Sequence, residues 1–300
     1  MSVPIAYLAV VIIWSTTPLA IVWSSETITP TLSVLLRMII AAALGVIMLK
    51  VANIKLPWHR AARHVYAVSG LGIFISMLCS YLAANYLSSG MISLAFGLNP
   101  LISGLLSQRL LARQSFTGIR QLSLVIAVVG LTIVCSDTLS LGEQSGIGLT
   151  FISIGVFYFS LSGVLVKKIS ININPIATTV GALLFCTPLF GLSWLVDYYF
   201  FMDNSLSIEQ WSARSLWTLM YLSVFGSIVG FIGYFYILQK LSPTTVSLTT
   251  LLTPIFAISL GAYLNNERVS DTLFVGAALV LIGLFIYQFG DKWRRLKVIT

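Results

Sequence analysis

The sequence predicts an all-α polytopic membrane protein, ten transmembrane helices arranged as two inverted five-helix repeats around a central cavity. Three observations predict it. Apolar residues make up 58% of the 300-residue chain and charged residues only 9%, far from the balance of a soluble globular protein. The charges sort by sign into alternate gaps between ten apolar segments. The two halves of the chain also repeat one another.

The apolar segments run over 4–23, 31–50, 65–84, 89–110, 119–136, 146–166, 176–200, 215–237, 243–264 and 272–290. About 20 residues of helix cross the ~30 Å hydrocarbon core of a bilayer. Ten such helices leave only short loops, so no soluble domain fits and consecutive helices are expected to pack as antiparallel neighbours. The first segment lacks the basic flank of a signal peptide, and removing it would spoil the alternation of charge, so it is expected to be a mature span.

Lys50, Lys55, Arg60 and Arg63 fill one gap, Arg109, Arg113 and Arg120 another, Lys167 and Lys168 a third, and Lys240 a fourth. Lys292, Arg294, Arg295 and Lys297 follow the last segment. The intervening gaps hold Glu26, Asp137, Glu143, Asp197, Asp203, Glu209, Glu267 and Asp271, with only Arg214 and Arg268 as basic company. Cytoplasmic loops retain Lys and Arg, so both chain ends are expected in the cytoplasm, with the protein in the inner membrane. The net charge of +8 is then spread over loop ends beside anionic lipid head groups and implies no nucleic-acid partner. A homo-oligomer is left open.

A shift of 154 residues aligns 69–100 with 223–254 without a gap. Ser69 meets Ser223, Gly72 meets Gly226, Leu87-Ser88 meets Leu241-Ser242, Ser93-Leu94 meets Ser247-Leu248, and Pro100 meets Pro254. Each copy, 1–140 and 141–300, holds five spans, an odd number, so the second is expected upside down relative to the first. The loop charges agree with that inversion, since Arg113, inside, corresponds to Glu267, outside. Inverted repeats are a recurrent plan of secondary transporters, which place their substrate near the midplane between the halves.

Within the spans, Pro100 and Pro254 are expected to interrupt the fourth helix of each repeat and to act as hinges, with Asn99 and Thr253 beside them supplying polar contacts; a packing kink is the alternative. Arg37 is the one charge placed well inside a span. Its planar fork of donors suits a substrate carboxylate or phosphate; the alternative is an arginine satisfied by backbone carbonyls or snorkelling to the outer interface. The other expected substrate-binding residues are Trp14, Thr16, Ser76, Ser80, Tyr81, Phe96, Tyr158, Ser162, Tyr234 and Thr250, aromatic and hydroxyl groups on candidate pathway helices that suit a mostly apolar pocket with few polar contacts. Singly, each more readily fits helix packing or an interfacial anchor, and only the group points to a pocket.

No Asp or Glu lies well inside a span, Asp197 standing near the end of the seventh, and His59 and His64 sit in one inner loop, so a proton relay through a membrane carboxylate is unsupported. Cys79, Cys135 and Cys186 fall in apolar segments without metal-ligand spacing and read as small buried hydrophobes. Neither a Ser with a His partner nor an HExxH stands in the membrane interior, so no enzyme, metal or cofactor is expected.

The stretches NYLSSGMISLAFGLNPLISGLLSQRLLAR and QKLSPTTVSLTTLLTPIFAISLGAYLNNERVS, Trp14 in IIWSTTP and Arg37 in LLRMIIAAAL resemble the EamA-type branch of the drug/metabolite transporter superfamily. The resemblance covers nearly the whole chain, with Ser15 where a glycine commonly follows the tryptophan and Arg113 where the first repeat often has glutamate. It implies ten helices around a central cavity and transport of small metabolites, often export of amino acids. The expected function is therefore an alternating-access transporter of small organic metabolites, foremost an exporter of amino acids or related compounds, with its site lined by helices one to four and six to nine. A carrier of sugar-phosphates or nucleotide-sugars and a non-transporting membrane scaffold are the alternatives.

Overall fold

A backbone in hydrocarbon has to satisfy its own N–H and C=O groups, and an apolar run of about 20 residues does so as a helix. The computed structural model describes residues 2–111, 118–140, 144–201, 210–267 and 269–297, and among these every regular element is helical. Arg113, Glu143, Asp203, Glu209 and Arg268 lie outside the described residues. In chain order the helices are α1 (Val3–Ser24), α2 (Pro30–Val51), α3 (Arg60–Ala83), α4 (Ser89–Phe96), α5 (Asn99–Leu111), α6 (Gly118–Ser140) and α7 (Ser145–Ile169). There follow α8 (Pro175–Phe201), α9 (Ala213–Tyr221), a π-helical segment (Leu222–Val229), α10 (Gly230–Lys240), α11 (Pro243–Ser247), α12 (Thr249–Asn265) and α13 (Asp271–Lys297).

Local chemistry sets the ends. Prolines occupy the first turn of α1, α2 and α11, where the missing N–H would have no partner anyway. Ser88, Ser212 and Ser242 cap α4, α9 and α11, each hydroxyl accepting from an amide three residues on at 3.3, 3.1 and 3.2 Å. Ser88 and Ser242 are partners under the 154-residue shift, so the repeated serine does the same local work twice.

Seven stretches among the described residues are long and apolar enough to cross a membrane, the α4–α5 and α9–α10 runs each counting as one. Leu122–Val134 and Asp271–Tyr287 are shorter apolar helices. The ninth expected span is divided at Leu248 into α11 and α12, and the fourth breaks at Gly97–Leu98. That break precedes Pro100, which consequently sits in the first turn of α5. Pro254 departs from expectation in the other direction, because α12 runs through it unbroken. Proline withholds the amide that would bond the Thr250 carbonyl, and the Thr253 hydroxyl donates to that same oxygen at 3.1 Å, replacing the lost bond.

The principal core gathers α1, α2, α3, α8 and α10 around buried Met38, Tyr81, Phe190 and Phe231, and a second gathers α4 to α7 with α13. Apolar side chains also cover the outside, among them Ile5, Leu8, Ile12, Val128 and Phe274. A bundle apolar on both its inner and outer surfaces is built for lipid rather than water.

Candidate functional site

Arg37 sits in α2 and is 1% exposed. Its Nε donates to Ser227 Oγ at 2.9 Å, and its guanidinium carbon lies 6.0 Å from the centre of the Tyr81 ring. Both Ser227 and the neighbouring Gly226 belong to the π-helical segment, whose widened turns displace the backbone from a regular helical track. A Cβ on Gly226 would stand 3.0 Å from Arg37 Nη2, so glycine is what admits the guanidinium here. Among the described residues Nη1 has no hydrogen-bond partner and no carboxylate pairs with Arg37. Burying a cation without a counter-charge costs several kcal/mol, and a guanidinium edge left free in that setting is a receptor for a planar anion.

The guanidinium reaches a small cavity of about 60 Å³ lined by residues of both halves of the chain. Trp14, Phe96 and Phe159 form an aromatic wall, with Trp14 and Phe96 both packed edge-on to Phe159 at ring distances of 5.7 and 6.1 Å. Pro18, Ile21, Met77, Ile92 and Phe231 make most of the remaining surface. Several hydroxyls line it but are already committed to backbone carbonyls: Thr17 to Ile13 at 2.8 Å, Ser80 to Ser76 at 2.7 Å and Thr253 to Thr250 at 3.1 Å. Ser93 also lines the wall, and its Oγ has no partner among the described residues. Arg37 Nη1 and Ser93 Oγ therefore offer unused polar contacts in a predominantly apolar chamber. Such a chamber suits a small molecule with an anionic end and an apolar body.

Of the residues singled out in the sequence, Trp14, Arg37, Ser80, Phe96 and Thr250 line this cavity. Tyr234 backs the aromatic wall, 5.5 Å from Trp14 and 5.2 Å from Phe159, and Tyr81 lies against Arg37. The others are elsewhere. Thr16 is bonded to Tyr221 Oη at 2.6 Å, Ser76 is fully buried off the cavity, and Ser162 donates to the Val68 carbonyl at 3.0 Å, tying α7 to α3. Asn99 Oδ1 accepts from Ser103 and Ser160, joining α5 to α7. Tyr158 is 40% exposed on the outside of the bundle. Pro100 is buried and does not line the cavity, whereas Pro254 Cγ lies 3.4 Å from the Cβ position of Gly97, where α12 meets the break between α4 and α5.

Thr17, Pro18, Ile21, Met77, Ile92, Ser93, Phe159, Gly226, Phe231 and Thr253 complete the lining without having been expected there as a set. The repeat did mark two of them, since Ser93 and Gly226 are matched positions. Of the eight spans expected around the site, the seventh contributes nothing: α8 packs instead against α2 and α3.

One end of the bundle is cross-tied. The Glu267 carboxylate accepts from Ser89 N at 3.2 Å, Ser89 Oγ at 2.9 Å and Gly90 N at 3.4 Å, capping α4 from the α12–α13 turn. Trp23 Nε1 donates to Asn265 Oδ1 at 2.8 Å, and Arg214 pairs with Glu26 at 2.6 Å. At the opposite end Lys167 Nζ donates to the Leu238 and Gln239 carbonyls at 2.8 and 3.0 Å.

Apolar helices of membrane length enclosing a chamber for a small molecule define a multi-pass membrane transporter. The chain belongs to the EamA-like transporter family, whose profile matches residues 1–136 and 146–288. It is 23% identical over 274 residues to an uncharacterized transporter of Archaeoglobus fulgidus, covering 91% of this chain and 94% of that one. It is 25% identical over 289 residues to protein PagO of Salmonella typhimurium, covering 95% and 92%. Similarity to a probable amino-acid metabolite efflux pump of Escherichia coli is 27% over 177 residues, 57% of this chain and 58% of the relative. A solved crystal structure superposes with a TM-score of 0.69 at 17% identity, over 96% of this chain and 97% of its own, which establishes likeness of fold.

Proposed function

We propose that this protein exports small metabolites carrying a carboxylate and an apolar body, amino acids or close relatives, across the inner membrane by alternating access. The observation that carries the proposal is the buried Arg37 with a free Nη1 edge in an apolar, aromatic-walled cavity. In this reading Arg37 holds the carboxylate, Ser93 adds a hydroxyl contact, and Trp14, Phe96 and Phe159 pack the apolar body. The substrate's ammonium group, in an amino acid, rests against aromatic faces in place of a carboxylate partner.

The ten-span arrangement as two inverted repeats, 1–140 and 141–300, with both ends cytoplasmic, belongs to the same proposal. The matched caps at Ser88 and Ser242 and a cavity drawn from both halves support it. Rocking of the halves then breaks the Glu267 and Arg214 ties at the outer end, with the Lys167 contacts reset at the inner end. Because no cavity-lining residue is acidic, the reading favours exchange or facilitated diffusion over proton coupling. A sugar-phosphate or nucleotide-sugar would need several cations, whereas Arg37 alone among the lining residues is charged.

The test is an untargeted comparison of metabolites exported by cells overexpressing the protein and by deletion cells. A carboxylate-bearing compound enriched outside the overexpressing cells is the expected result. Enrichment confined to phosphorylated sugars, or none at all, would reject the reading.

A further inference from the structure

Away from the central cavity, the start of α3 breaks a rule of helix electrostatics. The N-terminal end of a helix carries partial positive charge and favours acidic residues. The first turns of α3 instead hold Arg60, Arg63 and His64, with no acid in the first turn. Among the described residues none of these three side chains makes an ion pair or a hydrogen bond. The positive charge of Arg60 and Arg63 thus has no acidic partner among the described residues.

The three side chains stand at the head of a groove of about 570 Å³ between α3 and α8. Below them the groove is apolar, lined by Ala67, Leu184, Phe185 and Pro188. Leu184 and Phe185 are exposed on the outside of the bundle, where the bilayer would lie. Trp58 stands at the mouth, 64% exposed, its ring 6.3 Å from that of Tyr66. Tyr66 Oη donates to the Pro57 carbonyl at 3.0 Å and fixes that turn. Gly181 lets α8 approach the face of Tyr66, since a Cβ there would run into the ring. An interfacial tryptophan, a basic head and an apolar slot that opens sideways are the complement of one amphiphile.

We propose that this groove binds an anionic phospholipid of the surrounding bilayer. Arg60, Arg63 and His64 hold its phosphate, and one acyl chain lies between α3 and α8 against Leu184, Phe185 and Pro188. Free phosphate satisfies only the head of the site, and a zwitterionic lipid leaves the excess positive charge unbalanced. Because α3 also carries Met77 and Ser80 of the central cavity wall, a lipid here grips a helix that shapes the transport site.

The test is native mass spectrometry of the detergent-purified full-length protein with phosphatidylglycerol or phosphatidylcholine. Phosphatidylglycerol should be retained preferentially. The Arg60→Gln/Arg63→Gln double variant should weaken its binding about 30-fold, from the contribution of each basic residue to anionic-lipid attraction. Lys168→Gln/Lys240→Gln, which removes the same charge from other exposed sites, should change it less than about twofold. Leu184→Trp keeps both guanidinium groups and fills the slot, and should also weaken lipid retention. Glycerol 3-phosphate in millimolar excess should not displace the lipid. Equal retention of the two lipids, equal loss in both double variants, undiminished binding by Leu184→Trp, or displacement by glycerol 3-phosphate would each overturn the proposal.

Discussion

Replacing Arg37 by methionine separates binding from folding, because the two respond in opposite directions. The variant loses the Nε bond to Ser227, 2.9 Å long, a contribution of about 1 kcal/mol. It also removes a cation that is 1% exposed and without a counter-charge among the described residues, relieving a desolvation cost of several kcal/mol. Methionine keeps much of the side-chain volume, so the cavity wall is preserved. Thermal stability should therefore hold or rise. Substrate binding should fall, since truncating one partner of a buried charge pair costs about 2 kcal/mol or more, at least a 30-fold rise in Kd. The assay is ligand-induced thermal shift of purified protein, with leucine and phenylalanine and their amides as probes. Wild type should prefer each acid to its amide, and Arg37→Met should bind both weakly and alike. Lower stability with the acid preference intact would show that Arg37 serves the fold and not the ligand, and the reasoning would be refuted.

Other variants test the local physics around the cavity. Thr253→Val removes the hydroxyl that bonds the Thr250 carbonyl and should cost about 1–3 kcal/mol; Pro254→Ala in the same background restores the missing amide and should recover much of the loss in thermal melts. Gly226→Ala places a Cβ 3.0 Å from Arg37 Nη2 and 3.2 Å from Leu222, so overpacking of about 1–3 kcal/mol should displace the guanidinium and weaken acid binding more than amide binding. Glu267→Gln weakens the cap on Ser89 and Gly90 and should lower stability by about 1 kcal/mol. A melting temperature as high as wild type would mean that this tie adds nothing to the fold.

The sequence carried the helices and the odd charge, while the rotational phase of each helix stayed hidden. Hydropathy marked the apolar segments because crossing lipid demands length and apolarity together. Arg37 stood out because a single cation in LLRMIIAAAL contradicts its surroundings. The face of a helix is harder to read when lipid on one side and packed protein on the other are both apolar, since no amphipathic contrast remains. Tyr158 and Phe159 are adjacent, yet the first is 40% exposed to the outside and the second 6% exposed and part of the cavity wall. Thr16 and Thr17 divide likewise, one bonding Tyr221 and the other facing the chamber. The π-helical turns at Leu222–Val229 have no cue in local residue preferences, whereas the break at Gly97–Leu98 stands just ahead of Pro100, where an interruption is expected. Pro254 shows a related limit: Thr253 is expected to supply a polar contact beside it, but that its hydroxyl replaces the deleted bond to the Thr250 carbonyl, leaving α12 unbroken, is visible only in the fold.

The central claim, that this chain moves a carboxylate-bearing metabolite through the Arg37 cavity, is tested most directly by flux in proteoliposomes. Wild type should show saturable flux of the acid identified by the export comparison, little flux of its amide, and at least a 30-fold rise in half-saturation concentration for Arg37→Met. Flux of acid and amide at equal rates, or an Arg37→Met protein that transports as wild type does, would contradict it.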